Sequence, residues 1–150
     1  MTIKDLYLED QHHIRRWGKH YTDNQFYLFN RAIRRRLAPL LKSKRKRSPR
    51  ELWMAGMILH HGNTLGTSRS ALRFAQESYG QGYKPAKTLV AQATDRLLQL
   101  QGKPQKFGTQ AARLKNGKLK LYVLDGTITD AERKAYGLPS LKQLTSYLNT

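Results

Sequence analysis

The sequence predicts a mainly α-helical protein: a compact bundle or array of about six helices, with one small β-hairpin near the C-terminus. Three observations carry that expectation. Apolar residues recur every three or four positions through the first two thirds of the chain, the period of helices with one face on a core. Capping pairs stand ahead of these stripes: Thr2 with Asp5, Thr22 with Gln25, Ser48 with Glu51, Thr129 with Glu132 and Ser140 with Gln143. Finally, Asn116-Gly117 is followed by Leu119, Leu121 and Val123 in alternation, the pattern of a hairpin closed by a type I′ turn. The length of 150 residues suits one helical domain over 1–150, with a basic linker at about 38–48.

The first helix is expected from Ile3 to Trp17, stopping at Gly18, with Ile3, Leu6, Tyr7, Ile14 and Trp17 facing inward. Helical spacing places Asp10 in the middle of that apolar stripe. An isolated buried charge is costly, so Asp10 requires a partner, either as a structural salt bridge or as a carboxylate at a pocket floor. His13 falls on the edge of the same face, and Arg15 lies toward the other side. Helix two begins near Asp23 with the stripe Phe26, Phe29, Ile33, Leu37 and Leu40. Pro39 is expected to end or kink it near Leu37, because a residue before proline avoids helical angles.

Ser48-Pro49-Arg50-Glu51 is the strongest helix start in the chain, combining an N-cap, a first-turn proline and a capping-box glutamate. Leu52 to Leu59 is apolar on every side, which marks a helix enclosed by others and ending at His60-His61-Gly62. A loop over Asn63 to Thr67 precedes a helix from Ser68 to Tyr79, with Ala71, Leu72, Phe74, Ala75 and Tyr79 inward. The next helix opens at Pro85 and stops at Gly102, burying Ala86, Leu89, Ala93, Leu97 and Leu100. A polar segment, Pro104 to Gln110, follows it. Two short helices close the chain, the last carrying Leu141, Leu144, Tyr147 and Leu148.

Charge narrows the partners. The formal net charge is +18, and ten of the 28 Lys and Arg residues lie between Arg31 and Arg50 without one acid. Such a run fits a polyanion, since each phosphate neutralised releases counterions; Arg34, Arg35, Arg36, Lys44, Arg45, Lys46 and Arg47 are the nucleic-acid candidates. A run of this kind holds a backbone and reads no sequence. With no cysteine, disulfides and thiolate chemistry are excluded. Neither an apolar signal core nor a run long enough to span a bilayer is present, so membrane insertion is not expected and a cytoplasmic location is.

Several pieces together resemble an uncharacterised bacterial family. They are Asp10-Gln11 with Arg15, His61-Gly62 after an apolar helix, Asp95-Arg96, and Gly102-Lys103-Pro104-Gln105 running into Phe107-Gly108-Thr109-Gln110, then Arg133 before Gly137-Leu138-Pro139. The order and spacing run from the first helix to the last, and GKPQKFGTQ is the specific part. The resemblance implies candidate residues and no reaction.

Two functional readings follow. In the first, a polar pocket joins Asp10, His61 and Arg96 as acid/base and charge-stabilising groups, with Arg15, Asp95, Gln105, Gly108, Thr109 and Gln110 binding a polar or anionic small molecule. The expectation is that these groups meet around one hollow. In the second, the chain is an accessory protein that binds RNA or DNA through the Arg31 to Arg50 segment. No HExxH-like spacing suggests a metal, and no cofactor is expected.

Overall fold

The structure, a computed structural model, describes residues 1–148. Seven helices are present among them: α1 (Ile3–Arg16), α2 (Asp23–Lys42), α3 (Pro49–His60), α4 (Leu65–Gly80), α5 (Ala86–Leu100), α6 (Asp130–Ala135) and α7 (Leu141–Leu148). An antiparallel hairpin, β1 (Ala111–Arg113) and β2 (Leu119–Leu121), sits between α5 and α6, with Ala112 opposite Lys120. The side chain expected inward at Tyr147 lies outside the described residues.

Helix α3 is the hub and packs against α1, α2, α4 and α5. Its all-round apolar surface is the physical reason, since each face must be covered. Ile3 and Leu6 of α1, Ile33 and Leu37 of α2, and Met54, Ala55 and Ile58 of α3 form one buried cluster. Gly56 sets how close α5 comes: a Cβ there would meet Leu89 at 3.0 Å. Near the C-terminal end, Ala91, Phe107 and Ile128 form a second, smaller cluster beneath Tyr136 and Leu138. No helix among the described residues is long and apolar enough to cross a membrane.

Local signals hold where capping chemistry is strong. Thr2, Thr22, Ser48 and Thr129 each close a reciprocal capping box, and Ser140 and Gln143 exchange the same pair of bonds. Four expectations need correction. Helix α2 runs through Pro39 to Lys42, so the basic connection spans 43–48 rather than 38–48. An interior proline costs ~3 kcal/mol through its lost N–H and its clash. Here Pro39 is on the exposed side, while Leu40 and Leu41 beyond it pack on the core. Arg47 then donates to the carbonyls of Leu40, Leu41 and Ser43, at 2.8, 2.5 and 2.9 Å, closing the helix end.

Helix α4 begins at Leu65, not Ser68, because Thr64 and Thr67 form a capping box in which threonine replaces the usual acid or amide. Tyr79, expected inward, is 42% exposed, and the buried positions of this helix include Ser68 and Ser78 instead. The hairpin turn is also different. Gly117 has φ 81 while Asn116 has a negative φ, which excludes type I′. Gly117 N–H donates to Leu114 at 2.9 Å and Leu114 N–H to Lys118 at 2.8 Å, the pattern of a three-residue loop with a glycine bulge.

Candidate functional site

The polar residues forced inward by helical spacing fall into two separate networks. The first joins α1, α2 and the end of α3. Asp10 is fully buried, and its Oδ2 lies 2.6 Å from Nδ1 of His61. Its Oδ1 accepts from the Asn30 amide at 3.1 Å. That amide also donates to the Ile58 carbonyl at 2.9 Å, while Asn30 Oδ1 accepts from Nε of Arg34 at 2.7 Å. Both partners of the amide nitrogen are acceptors and the partner of the oxygen is a donor, so only one orientation of Asn30 satisfies the network. Burial, with neighbouring Arg31, lowers the Arg34 guanidinium from its ordinary value.

His61 is the C-cap of α3. Gly62 follows it where a Cβ would lie 2.6 Å from Thr67 Oγ1, so only glycine lets the chain turn directly onto the α4 cap. This is the physical content of the His-Gly pair. The carboxylate at Nδ1 assigns the proton to that nitrogen and leaves Nε2 as the chemically active one. His61 keeps 13% exposure, and no group among the described residues bonds its Nε2. Neighbouring His60 is different. Its Nδ1 is sealed from solvent without a partner, and burial, helped by the charges of His61 and Arg96, pushes it down to about 3.

The second network is the loop after α5. Asp95 is fully buried and accepts from the amides of Lys106 (2.8 Å), Phe107 (2.9 Å) and Thr109 (2.9 Å) and from the Thr109 hydroxyl (2.8 Å). Gln105 is equally enclosed. Its amide nitrogen donates to Gln110 and Tyr122 carbonyls, and its oxygen accepts from the Gln110 amide, which ties the loop to the hairpin. Arg133 of α6, 1% exposed, donates to the carbonyls of Phe107 and Pro139. The backbone of Phe107 is therefore gripped on both sides, its N–H by Asp95 and its carbonyl by Arg133. Gly108, at φ 76, has no room for a Cβ, which would sit 2.9 Å from the same guanidinium.

This corrects the expectation of one shared hollow. Asp95, Gln105, Gly108 and Thr109 have their polar groups or backbone engaged in shaping the loop, as a clasp, apart from Asp10 and His61. Gln110 holds its neighbour's hydroxyl at 3.2 Å. Arg15 is exposed on α1 and forms no ion pair among the described residues. Asp10 and His61 do meet. Arg96 stands nearby without bonding to them: its guanidinium donates to Tyr27 Oη and to Gln99, both at 3.2 Å.

Two hollows border Tyr27. One, about 450 Å³, has Trp17, Tyr27, Arg96, Arg113 and Tyr122 in its lining. The other, about 370 Å³, has Tyr27, Arg31, Arg34 and Asn63. Neither Asp10 nor His61 lines the first: buried Phe26, parallel to Trp17 at 4.3 Å and edge-on to the His61 ring at 6.3 Å, stands between the dyad and that hollow. Of the network, only Arg34 lines the second, linked to Asp10 through Asn30.

The basic segment divides as well. Arg36 pairs with Glu9 at 2.5 Å, and Arg45 pairs with Glu51 at 2.7 Å. The Arg45 bond, with the Ser48 backbone, pulls the Glu51 carboxyl down to about 2. Arg47 caps α2 and Arg34 holds Asn30. Arg35, Lys44 and Lys46, with Arg31 and Lys42, are exposed and have no acidic partner among the described residues.

Asn30 was missed in sequence, although the signal was there: it stands four residues after Phe26 and three before Ile33, on the same inward face. Trp17 was legible only as a member of the inward stripe of α1, and Tyr27 carried no signal beyond its aromatic character. No protein-family model, curated protein or solved structure matches the chain.

Proposed function

We propose that the chain is a small acid/base enzyme acting on a polar or anionic ligand, with His61 as the proton carrier. The observation that carries this reading is the buried Asp10–His61 pair, in which every polar atom but Nε2 is committed to the protein. Asp10 fixes the tautomer and supports positive charge on the ring; Asn30 and Arg34 hold Asp10 in place and are positioning residues. Nε2 takes a proton from a bound hydroxyl or water and returns it to the departing group, a role worth typically ~10²–10⁴ in rate. Arg96 and Arg34, on the two hollows bordering Tyr27, supply charge for an anionic group.

Diethyl pyrocarbonate tests the dyad without a known substrate, since it acylates the unprotonated, accessible nitrogen of histidine. His61, despite its small exposure, is expected to react faster than exposed His12 and His20, with peptide mass spectrometry reading each site. Asp10→Asn should remove that advantage. Reaction of His61 no faster than His12, or unaffected by Asp10→Asn, would overturn the reading.

A second reading is favoured by the six cations of the basic segment without an acidic partner among the described residues, Arg31, Arg35, Lys42, Lys44, Lys46 and Arg50, all exposed and able to serve as a strip facing a polyanion. In that reading the protein docks on RNA or DNA. The two are compatible, the strip delivering a strand to the pocket.

A further inference from the structure

We infer that the hollow between α1, α2, α5 and the hairpin is a nucleotide subsite, taking a planar heteroaromatic base with its phosphate; the inference rests on the acid/base reading of the nearby dyad. The lining brings together the two chemistries such a ligand needs. Trp17, Tyr27 and Tyr122 supply aromatic surface from three separate parts of the chain. Base–aromatic stacking tolerates any base, because every base has a π-face. Arg96 and Arg113 supply guanidinia at the same hollow, and each has donors to spare. Arg96 uses one donor on Gln99 and one on Tyr27, and Arg113 one on the Gly117 carbonyl, out of the five that each carries.

The walls are fixed before any ligand arrives. The Trp17 indole N–H donates to Asp23 at 2.8 Å and its ring stacks on Phe26, so its plane is set. Arg96 holds the Tyr27 hydroxyl. Gly18, at φ 75, lets the Arg113 guanidinium lie against the end of α1, where a Cβ would come within 3.3 Å of its Nε. The volume, about 450 Å³, lies in the ~300–1,000 Å³ range of small-molecule sites. Across Tyr27 lies the second hollow with Arg31 and Arg34, and beyond it the unpaired cations of α2. A free nucleotide and the end of a single strand share this chemistry, and the strip beyond gives the next phosphates of a strand somewhere to go.

Trp17 is the reporter. The chain has two tryptophans, and Trp53 packs on the core between Tyr7 and Tyr83, so Trp53→Phe isolates the signal. In that background, purine and pyrimidine nucleoside monophosphates should quench Trp17 emission saturably. Ribose 5-phosphate, which carries the charge without a base, should leave it unchanged. Arg113→Gln and Tyr122→Leu, both at exposed positions, should each raise Kd at least tenfold with unaltered thermal unfolding. An oligonucleotide binding at least tenfold more tightly than its monomer would identify a strand as the source, and equal affinity a free nucleotide. Absence of saturable quenching by monomer and oligomer alike, equal quenching by ribose 5-phosphate, or unchanged Kd in both variants would overturn the subsite. If binding is observed while the pyrocarbonate experiment fails, the subsite stands and the acid/base reading falls.

Discussion

Replacing Asp95 by asparagine tests whether the loop after α5 is a clasp or a ligand surface. The change preserves shape and removes a charge and an acceptor. The carboxylate now faces four donors, two at each oxygen. An asparagine oxygen can serve one pair; the amide nitrogen then points at the Thr109 N–H, and only the Thr109 hydroxyl can rotate to accept from it. One buried N–H is left unpaired at ~1–3 kcal/mol, and the two surviving bonds fall from charge-assisted to neutral strength at roughly 1 kcal/mol each. The sum is about 3–5 kcal/mol out of a total of ~5–15. For a chain of this size that is a fall in Tm of roughly 6–20 °C. Urea unfolding followed by circular dichroism reads the loss, and amide hydrogen exchange locates it at Lys106, Phe107 and Thr109. A cost below about 1 kcal/mol, with those three amides still protected, would refute the account and return Asp95 to the ligand candidates.

Acid should destabilise the fold through His60. Its folded value of about 3 lies below the unfolded 6.5, so the unfolded chain takes the proton first. The stability is complete above about pH 6.5 and falls as pH drops toward 3, by as much as ~5 kcal/mol at ~1.4 kcal/mol per pH unit. His60→Leu should flatten the pH dependence of Tm between pH 6.5 and 4, and an unchanged slope there would count against burial as the cause. Gly62→Ala is expected to lower stability by ~1–3 kcal/mol, since the Thr67 side chain or the backbone must move; thermal melts read it. Neutralising Arg31, Arg35, Lys42, Lys44 and Lys46 should reduce the salt slope of single-stranded nucleic-acid binding by up to ~3.5, at ~0.7 for each phosphate left without its cation. The same treatment of Arg36, Arg45 and Arg47 should mainly cost stability, because their charges already have partners in the fold.

The helices were legible because their causes are local. Capping side chains act within one turn, and an apolar stripe repeats within a few residues, so α1, α2 and α3 announce their starts and inward faces. Asp10 was legible for the same reason: its place on an inward stripe is periodicity, and burial of a charge demands a partner. The partner was not legible. His61 stands 51 positions away from Asp10, and Asn30 is 20 positions away. The pairing follows from how α1, α2 and α3 cross.

The loop shows the opposite failure. GKPQKFGTQ suggests a ligand surface because it is polar, and polarity is a local property. Whether a polar atom faces a ligand or its own backbone depends on what closes around it, here Asp95 from one side and Arg133 of α6 from the other. Pro39 misleads in the same way, since its cost is local and the packing of Leu40 and Leu41 that offsets it is not. The chain by itself determined its helical class, its surplus of positive charge and which faces had to turn inward, all of which follow from near neighbours. Only the tertiary structure decided which inward charges met, which cations stayed free, and that the polar residues form two networks, because those outcomes depend on groups brought together from remote segments.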